Sequence, residues 1–431
     1  MNVDRDPGTP GPVTVDASRV ATVRRHNLGL LLRLLRDHGA RSRSEITTQT
    51  DLPKATVSSL VAELVERGLV REGAADRSKG VGRPGQSLAV DGLSLCALGL
   101  EINADYISVA ALDLRGTEVH AARVAVDVRE LTADAGLDVV AEVIRRTVTV
   151  VAARGVEVIG VCLAAPGVVD ARSGTVVFAP NLGWRDVQVT RYLGERLGPA
   201  LPEVRVDNDA RLASVAEHAR FAARGVTELL LLTGEAGVAA GVITGGRLLR
   251  GHAGLAGEIG HAALGVPGRR CRCGRTGCWE TAVGLDALLR RAADADDPVR
   301  DPSRDLEERM SDILRRARSG DARTLGALHE TAGSVAHGVG ILADVLNPEV
   351  IVLGGYFAFF GDYFEPAVRR RLDERAMLPA FPRTEVVRSG TGFSAAALGA
   401  ARSVLDTVYE DPTLVGAAAH SPQRTTDALP R

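Results

Sequence analysis

The chain has 431 residues, 45% of them hydrophobic and 25% charged, with a formal net charge of −2. These are ordinary values for a globular protein with two or three well-filled domains. No apolar run of about 20 residues is present, so no membrane helix is expected, and the opening MNVDRDPGTPGPVTVD lacks the basic-then-apolar pattern of a secretory signal.

Residues 1–20 read as a disordered tail and residues 21–92 as a DNA-binding module. From Arg19 to Asp91 there are 13 Lys/Arg against 8 Asp/Glu, so a basic head precedes an acidic body. That asymmetry points to a polyanionic partner. From Thr22, Leu28, Leu31, Leu32, Leu34 and Leu35 recur at helical spacing, and the helix stops near Gly39. Ser44-Glu45-Ile46 opens a second helix that runs to about Thr50, and Leu52-Pro53 turns into a third. This helix, KATVSSLVAELVERG, buries Val57, Leu60, Val61, Leu64 and Val65 and exposes Lys54, Thr56, Ser58 and Ser59. Short polar side chains let a helix approach base edges in a major groove while Lys54 neutralises a phosphate. A hairpin follows, from Leu69-Val70-Arg71 to Ser87–Val90, with a thin basic tip that holds Lys79 and Arg83. Three helices and a hairpin make a winged helix-turn-helix, with Arg83 suited to a minor groove. The alternative is a small helical protein-interaction module with a loose loop.

From Leu95 onward strands and helices alternate. LCALGLEI and ISVAALDL read as paired strands, His120 to Val128 as a third, Leu137–Ala153 as an amphipathic helix and EVIGVCLAAPG as a buried strand. A second copy starts at TELLLLTGEAGVAAGVITGGRLL, with turns at Gly234-Glu235 and Gly245-Gly246. Helices through Leu346, the strand VIVLGG and a helix from Phe360 complete it. The repeat predicts two α/β lobes, 93–225 and 226–408, with a cleft between them. Residues 294–305 read as an exposed loop and residues 409–431 as a flexible tail.

Between Gly257 and Glu280, His261, Cys271, Cys273 and Cys278 fall within 18 residues. Three thiolates and an imidazole suit tetrahedral Zn²⁺, and the glycines Gly268, Gly274 and Gly277 let the loop fold back on itself. The competing reading is a disulfide or scattered core cysteines, although a Cys-x-Cys pair bridges itself only with strain. The other two cysteines, Cys96 and Cys162, lie in apolar runs. This usage fits a reducing cytoplasm.

Together AGLAGEIGH, the CxCGxxGCxE loop, VDNDA and the winged helix resemble the ROK family of repressors and sugar kinases. The resemblance implies an actin-like, hexokinase-like two-lobed ATPase fold behind the DNA-binding module. It also implies that Asn208 and Asp209 contact a sugar, with Asp209 at the catalytic-base position, and that Asn181, Glu258, His261 and Glu280 complete the site. His261 then serves the metal with one ring nitrogen and a hydroxyl with the other.

The phosphate-side motifs depart from the kinase pattern. Glu101-Ile102-Asn103-Ala104-Asp105 stands where Asp-x-Gly-Gly-Thr is expected, so a longer carboxylate, a second negative charge and two side chains enter the polyphosphate space. Glu235-Ala236-Gly237-Val238-Ala239-Ala240-Gly241 replaces a glycine-rich turn, and Tyr356 follows Gly354-Gly355. Phosphate cradles need open backbone N–H groups, and Glu235 would repel a triphosphate by about 4 kcal/mol at about 4 Å in a dielectric of about 20. The expectation is a sugar-responsive regulator, a repressor without catalysis, that carries structural Zn²⁺ and binds double-stranded operator DNA as a homodimer or homotetramer. The alternative is an active sugar kinase with an accessory DNA-binding head.

Overall fold

The computed structural model describes residues 17–73, 86–199, 201–235, 237–252, 254–375 and 383–416. Lys79 and Arg83, expected at the wing tip, lie outside the described residues. The chain forms two compact units, Met1–Asp91 with Asp406–Arg431, and Gly92–Leu405.

In the first unit the leucine stripe folds as the helix Ala17–His38, and Gly39 ends it at φ 74°. Ser42 caps the helix Arg43–Thr50 through a reciprocal capping box with Glu45, which satisfies two otherwise orphaned N–H groups. Asp51 turns the chain in the left-handed region, and Pro53 leads into the helix Lys54–Glu66. Leu28, Leu31, Leu32, Ile46, Val57, Leu60, Val61 and Leu64 are buried together with Leu88. Strands Val70–Gly73 and Ser87–Val90 pair antiparallel, and Arg41–Ser42 joins them in a three-stranded sheet.

The expected flexible tail is corrected over residues 409–416. Tyr409 is 3% exposed, and Pro412 and Val415 are also buried. Arg33 Nη1 donates to Tyr409 O at 2.8 Å, the Arg36 guanidinium lies 4.5 Å from the Tyr409 ring centre, and Arg67 donates to Thr413 O and Val415 O. An added Cβ on Gly29 would meet Tyr409 O at 2.8 Å, so glycine permits this close approach. A short apolar segment has no periodicity to announce it; its partners are set by tertiary packing.

The second unit contains two five-stranded sheets of the same topology. One runs Val204–Asn208, Glu157–Ala165, Leu95–Ile102, Tyr106–Asp113, Glu118–Ala125; the other runs Glu385–Arg388, Val350–Gly355, Leu229–Gly234, Val238–Thr244, Arg247–Leu248. In each, the first three strands in chain order form an antiparallel meander, the fourth pairs parallel with the first, and the fifth pairs parallel with the fourth. The helix Ala133–Ala152, capped by Thr132, packs into the first core, and the helix Ala322–Leu346 into the second.

Two expectations change here. Residues 294–305 are not simply an exposed loop: they hold the turn Pro298–Arg300, bury Val299 and pair Asp297 with Arg316 at 2.7 Å. The chain also leaves the second lobe before residue 408. The helix Ala395–Glu410 lies on the first sheet, where a Cβ on Gly99 would sit 1.9 Å from Ala397 O and one on Gly160 would sit 2.5 Å from Val404.

Tyr409→Ala should destabilise the first unit by about 3 kcal/mol, the range for removing a buried aromatic ring. Urea unfolding followed by a probe in the winged helix checks this, and an unchanged midpoint would mean that residues 409–416 contribute no stability.

Candidate functional site

The sugar-type residues expected from the sequence come together around one cavity in the second unit. Asn181, Asn208, Asp209, Glu258, His261 and Glu280 all line it, along with Glu101, Asn103 and Glu235.

Asn208 ends a parallel strand and caps the helix Asp209–Ala219, its Oδ1 accepting from Arg211 N at 3.0 Å. Its Nδ2 donates to Gly167 O and to Asp209 Oδ1, both at 3.0 Å. Asp209 Oδ1 also accepts from Ala210 N at 2.7 Å. Burial, followed by the charges of Glu101 and Glu258, pushes the Asp209 carboxyl up to about 7.

Arg211, one turn along, is 2% exposed. It pairs with Asp207 at 2.7 Å and donates to Val169 O at 3.2 Å and to Gly254 O at 3.0 Å. Arg250 meets the other oxygen of Asp207 at 2.6 Å. The loop before Glu258 is therefore held at Gly254 and again at Gly257, whose carbonyl accepts from Ala240 N at 2.8 Å. Gly257 sits at φ 101°, and a Cβ there would lie 2.0 Å from Ala240 O, so only glycine fits.

His261 Nδ1 lies 3.7 Å from Cys271 Sγ, and Cys273 Sγ lies 3.6 Å from Cys278 Sγ. One donor atom from each of these four residues falls within 4.8 Å of the others. A tetrahedron with Zn–S bonds of about 2.3 Å has edges of about 3.8 Å, so the donor set matches a metal of that size. All five cysteines are free thiols in this structure. His261 Nε2 remains on the side of Glu258, 4.0 Å from its Oε2. Glu280 sits between loop and cavity: its Oε2 accepts from Val238 N at 3.2 Å, and its Oε1 lies 3.5 Å from Cys271 Sγ. Asn181 Oδ1 is buried without a hydrogen-bond partner.

The phosphate side contains an arrangement that the sequence did not reveal. Glu235 Oε2, from the second lobe, accepts from Asn103 Nδ2 at 2.6 Å and from Tyr106 Oη at 2.8 Å, both in the first lobe. The same two donors lie 3.2 and 3.0 Å from Glu101 Oε1. Two carboxyls thus share two donors across the cleft, and burial pushes Glu101 up to about 7 and Glu235 well up. Tyr106 carried no signal beyond opening a strand.

Asp105 is corrected. It points away from the phosphate side and is held by Arg129 at 2.7 Å and by the buried Arg309 at 2.8 Å, so it adds no free negative charge there. Tyr356 is likewise wholly buried, its hydroxyl bonded to Val283 O.

On the winged helix, Lys54, Ser58 and Ser59 are exposed and Thr56 is half-buried. Arg24 of the first helix, missed by the sequence reading, reaches Ser59 Oγ at 3.3 Å and pairs with Glu63 at 2.6 Å. No helix among the described residues is long and apolar enough to cross a membrane.

Comparison with known proteins extends these observations. A model of the ROK family matches residues 97–407, and one of the MarR family matches residues 28–79. A putative xylose repressor of Caldicellulosiruptor sp. (strain Rt8B.4) is 29% identical over 92% of this chain and 99% of its own length. Among solved structures, a ROK family transcriptional regulator homologous to the E. coli MLC protein superposes with a TM-score of 0.73 at 22% identity, covering 90% of this chain and 97% of that one. A ROK family glucokinase from Streptomyces griseus, solved with glucose and AMPPNP, gives a TM-score of 0.60 at 27% identity, covering 72% of this chain and 98% of its own.

The environment of Asp209 sets a pH dependence. Its carboxyl keeps its proton up to about 7 in the folded chain and only to about 4 when unfolded. The folded state therefore binds the extra proton between these values. Stability falls as pH rises through that window, and the full loss is present above it. Asp209→Asn should raise the melting temperature more at pH 8 than at pH 5, by the equivalent of ~1–2 kcal/mol once solvent at the cavity is allowed for. Thermal unfolding at both pH values tests this; equal shifts would place the carboxylate in ordinary solvent.

Proposed function

The chain belongs to the ROK family, and from that membership we propose that it is a sugar-responsive transcriptional repressor that binds operator DNA and has no kinase activity. The observation that carries this reading is the asymmetry of the cavity. On one side, Asn181, Asn208, Asp209, Glu258, His261 and Glu280 offer paired hydrogen-bonding groups to hydroxyls. On the other, the Asn103, Tyr106 and Glu235 bonds close the lobes with side chains where an ATP-using relative needs open backbone and Mg²⁺. Asp209 in the base position has no phosphoryl donor to act with.

Lys54, Thr56, Ser58 and Ser59 of the helix Lys54–Glu66 read the major groove, and Arg83 at the wing enters the minor groove. One such helix reads only a few base pairs, so a homodimer or homotetramer on paired half-sites supplies the specificity. Sugar in the cavity favours one arrangement of the lobes, and operator affinity changes if the two arrangements bind DNA unequally. His261, Cys271, Cys273 and Cys278 hold Zn²⁺, which fixes the loop between Glu258 and Glu280 and the tautomer of His261. The setting is the cytoplasm, where these thiols stay reduced.

The competing reading is an active kinase. It is supported by Asp209 and by the fold shared with the Streptomyces griseus glucokinase. A coupled ATP-consumption assay over hexoses and N-acetylhexosamines separates the two: the repressor reading expects background rates, and turnover near ~1 s⁻¹ would establish a kinase.

Operator binding should be strongest at low salt and fall steeply as salt rises, with a sugar-dependent shift in affinity. Absence of DNA affinity at low salt would sink the repressor reading. Cys273→Ser should lose the bound zinc by metal analysis and lower the melting temperature; a wild-type protein free of zinc would remove the metal from the account.

A further inference from the structure

The cavity contains more carboxyl groups than hydroxyl recognition requires. Glu101, Asp209, Glu235, Glu258 and Glu280 all line it, and no lysine or arginine does so among the described residues. Nearby cations have partners of their own, although the charge of Arg123 still favours the ionised forms of Glu101 and Glu235. Arg211 and Arg250 both pair with Asp207, and Arg211 also donates to two carbonyls. Arg123 pairs with Glu307 at 2.8 Å, with its guanidinium 5.1 Å from the Tyr106 ring centre.

We infer that this cavity selects a polyhydroxylated ring bearing a protonated amine over its neutral, N-acylated and phosphorylated counterparts. The inference rests on the proposed sugar-binding role of the same cavity and narrows it to an effector class.

Three physical points support it. First, an anionic group needs cations or free N–H donors, and the side of the cavity where a phosphate would enter offers Glu101 and Glu235. Second, burial in this cavity disfavours the charged form of its carboxyls. Burial first, and then the charge of Glu101, raises Asp209 and Glu235, and burial raises Glu101 against the pull of its hydrogen bonds and of Arg123. An ammonium relieves that repulsion, lets carboxyls ionise and forms charge-assisted hydrogen bonds about twice as strong as neutral ones. A neutral hexose leaves the penalty in place. Third, Asn181 Oδ1 is a buried acceptor without a partner, ready for a donor from the ligand. Acylating the amine removes its charge and two of its donors.

The test is calorimetry on the full-length chain at pH 7, in two buffers of different ionisation heat. The ligands are the 2-amino hexoses of gluco, galacto and manno configuration, their parent hexoses, their N-acetyl forms and their 6-phosphates. At least one free amine should bind tenfold or more tighter than its parent and its N-acetyl form, with protons released to the buffer, and the 6-phosphates should not bind. Glu235→Gln should move the amine-to-parent affinity ratio toward one; if that variant unfolds, Glu101→Gln provides the same readout. Equal or tighter binding of a neutral, acylated or phosphorylated form overturns the charge selection but leaves sugar sensing standing. No binding by any sugar, with operator binding intact, removes both.

Discussion

The site depends on one buried guanidinium. Arg211 bonds to Asp207 in the preceding strand, to Val169 O in the first lobe and to Gly254 O in the second. Removing one partner of such a buried pair typically costs several kcal/mol, because it leaves the other charge uncompensated. Its position fixes the start of the helix Asp209–Ala219 and the loop that leads to Glu258. Asn208, Asp209 and Glu258 are thus held by a residue that does not itself line the cavity.

On the opposite wall the glycine-rich character of a phosphate turn is replaced by carboxyls that find their donors inside the protein. Glu235 takes Asn103 and Tyr106 from across the cleft. Substitutions that would repel a nucleotide therefore also build a bridge between lobes, with a carboxyl bonded to two donors where an anion would sit. Asp105 is the counter-example: its charge is cancelled by Arg129 and Arg309 and takes no part in the cavity.

Much of the fold was legible because its signals are local. The leucine stripe of the helix Ala17–His38, the Pro53 turn, the glycine-punctuated meanders and the repeat of strand–helix units follow from side-chain periodicity and backbone permissiveness. The burial of Val299, the docking of Tyr409 and Val415, and the return of the helix Ala395–Glu410 to the first sheet were not legible. Each depends on contacts between segments distant in sequence, for which the chain carries no repeating pattern.

The same division holds at the site. The spacing of His261, Cys271, Cys273 and Cys278 anticipated the convergence of four donor atoms, because a short loop leaves them few other ways to lie. The resemblance to the ROK motifs, rather than any spacing rule, singled out Asn181, Asn208, Asp209, Glu258, His261 and Glu280, which the structure places around one cavity. Only the tertiary structure decided which carboxyls keep a free face. Glu235 lines the cavity and Asp105 does not, because packing brings Asn103 and Tyr106 to the one and Arg129 and Arg309 to the other.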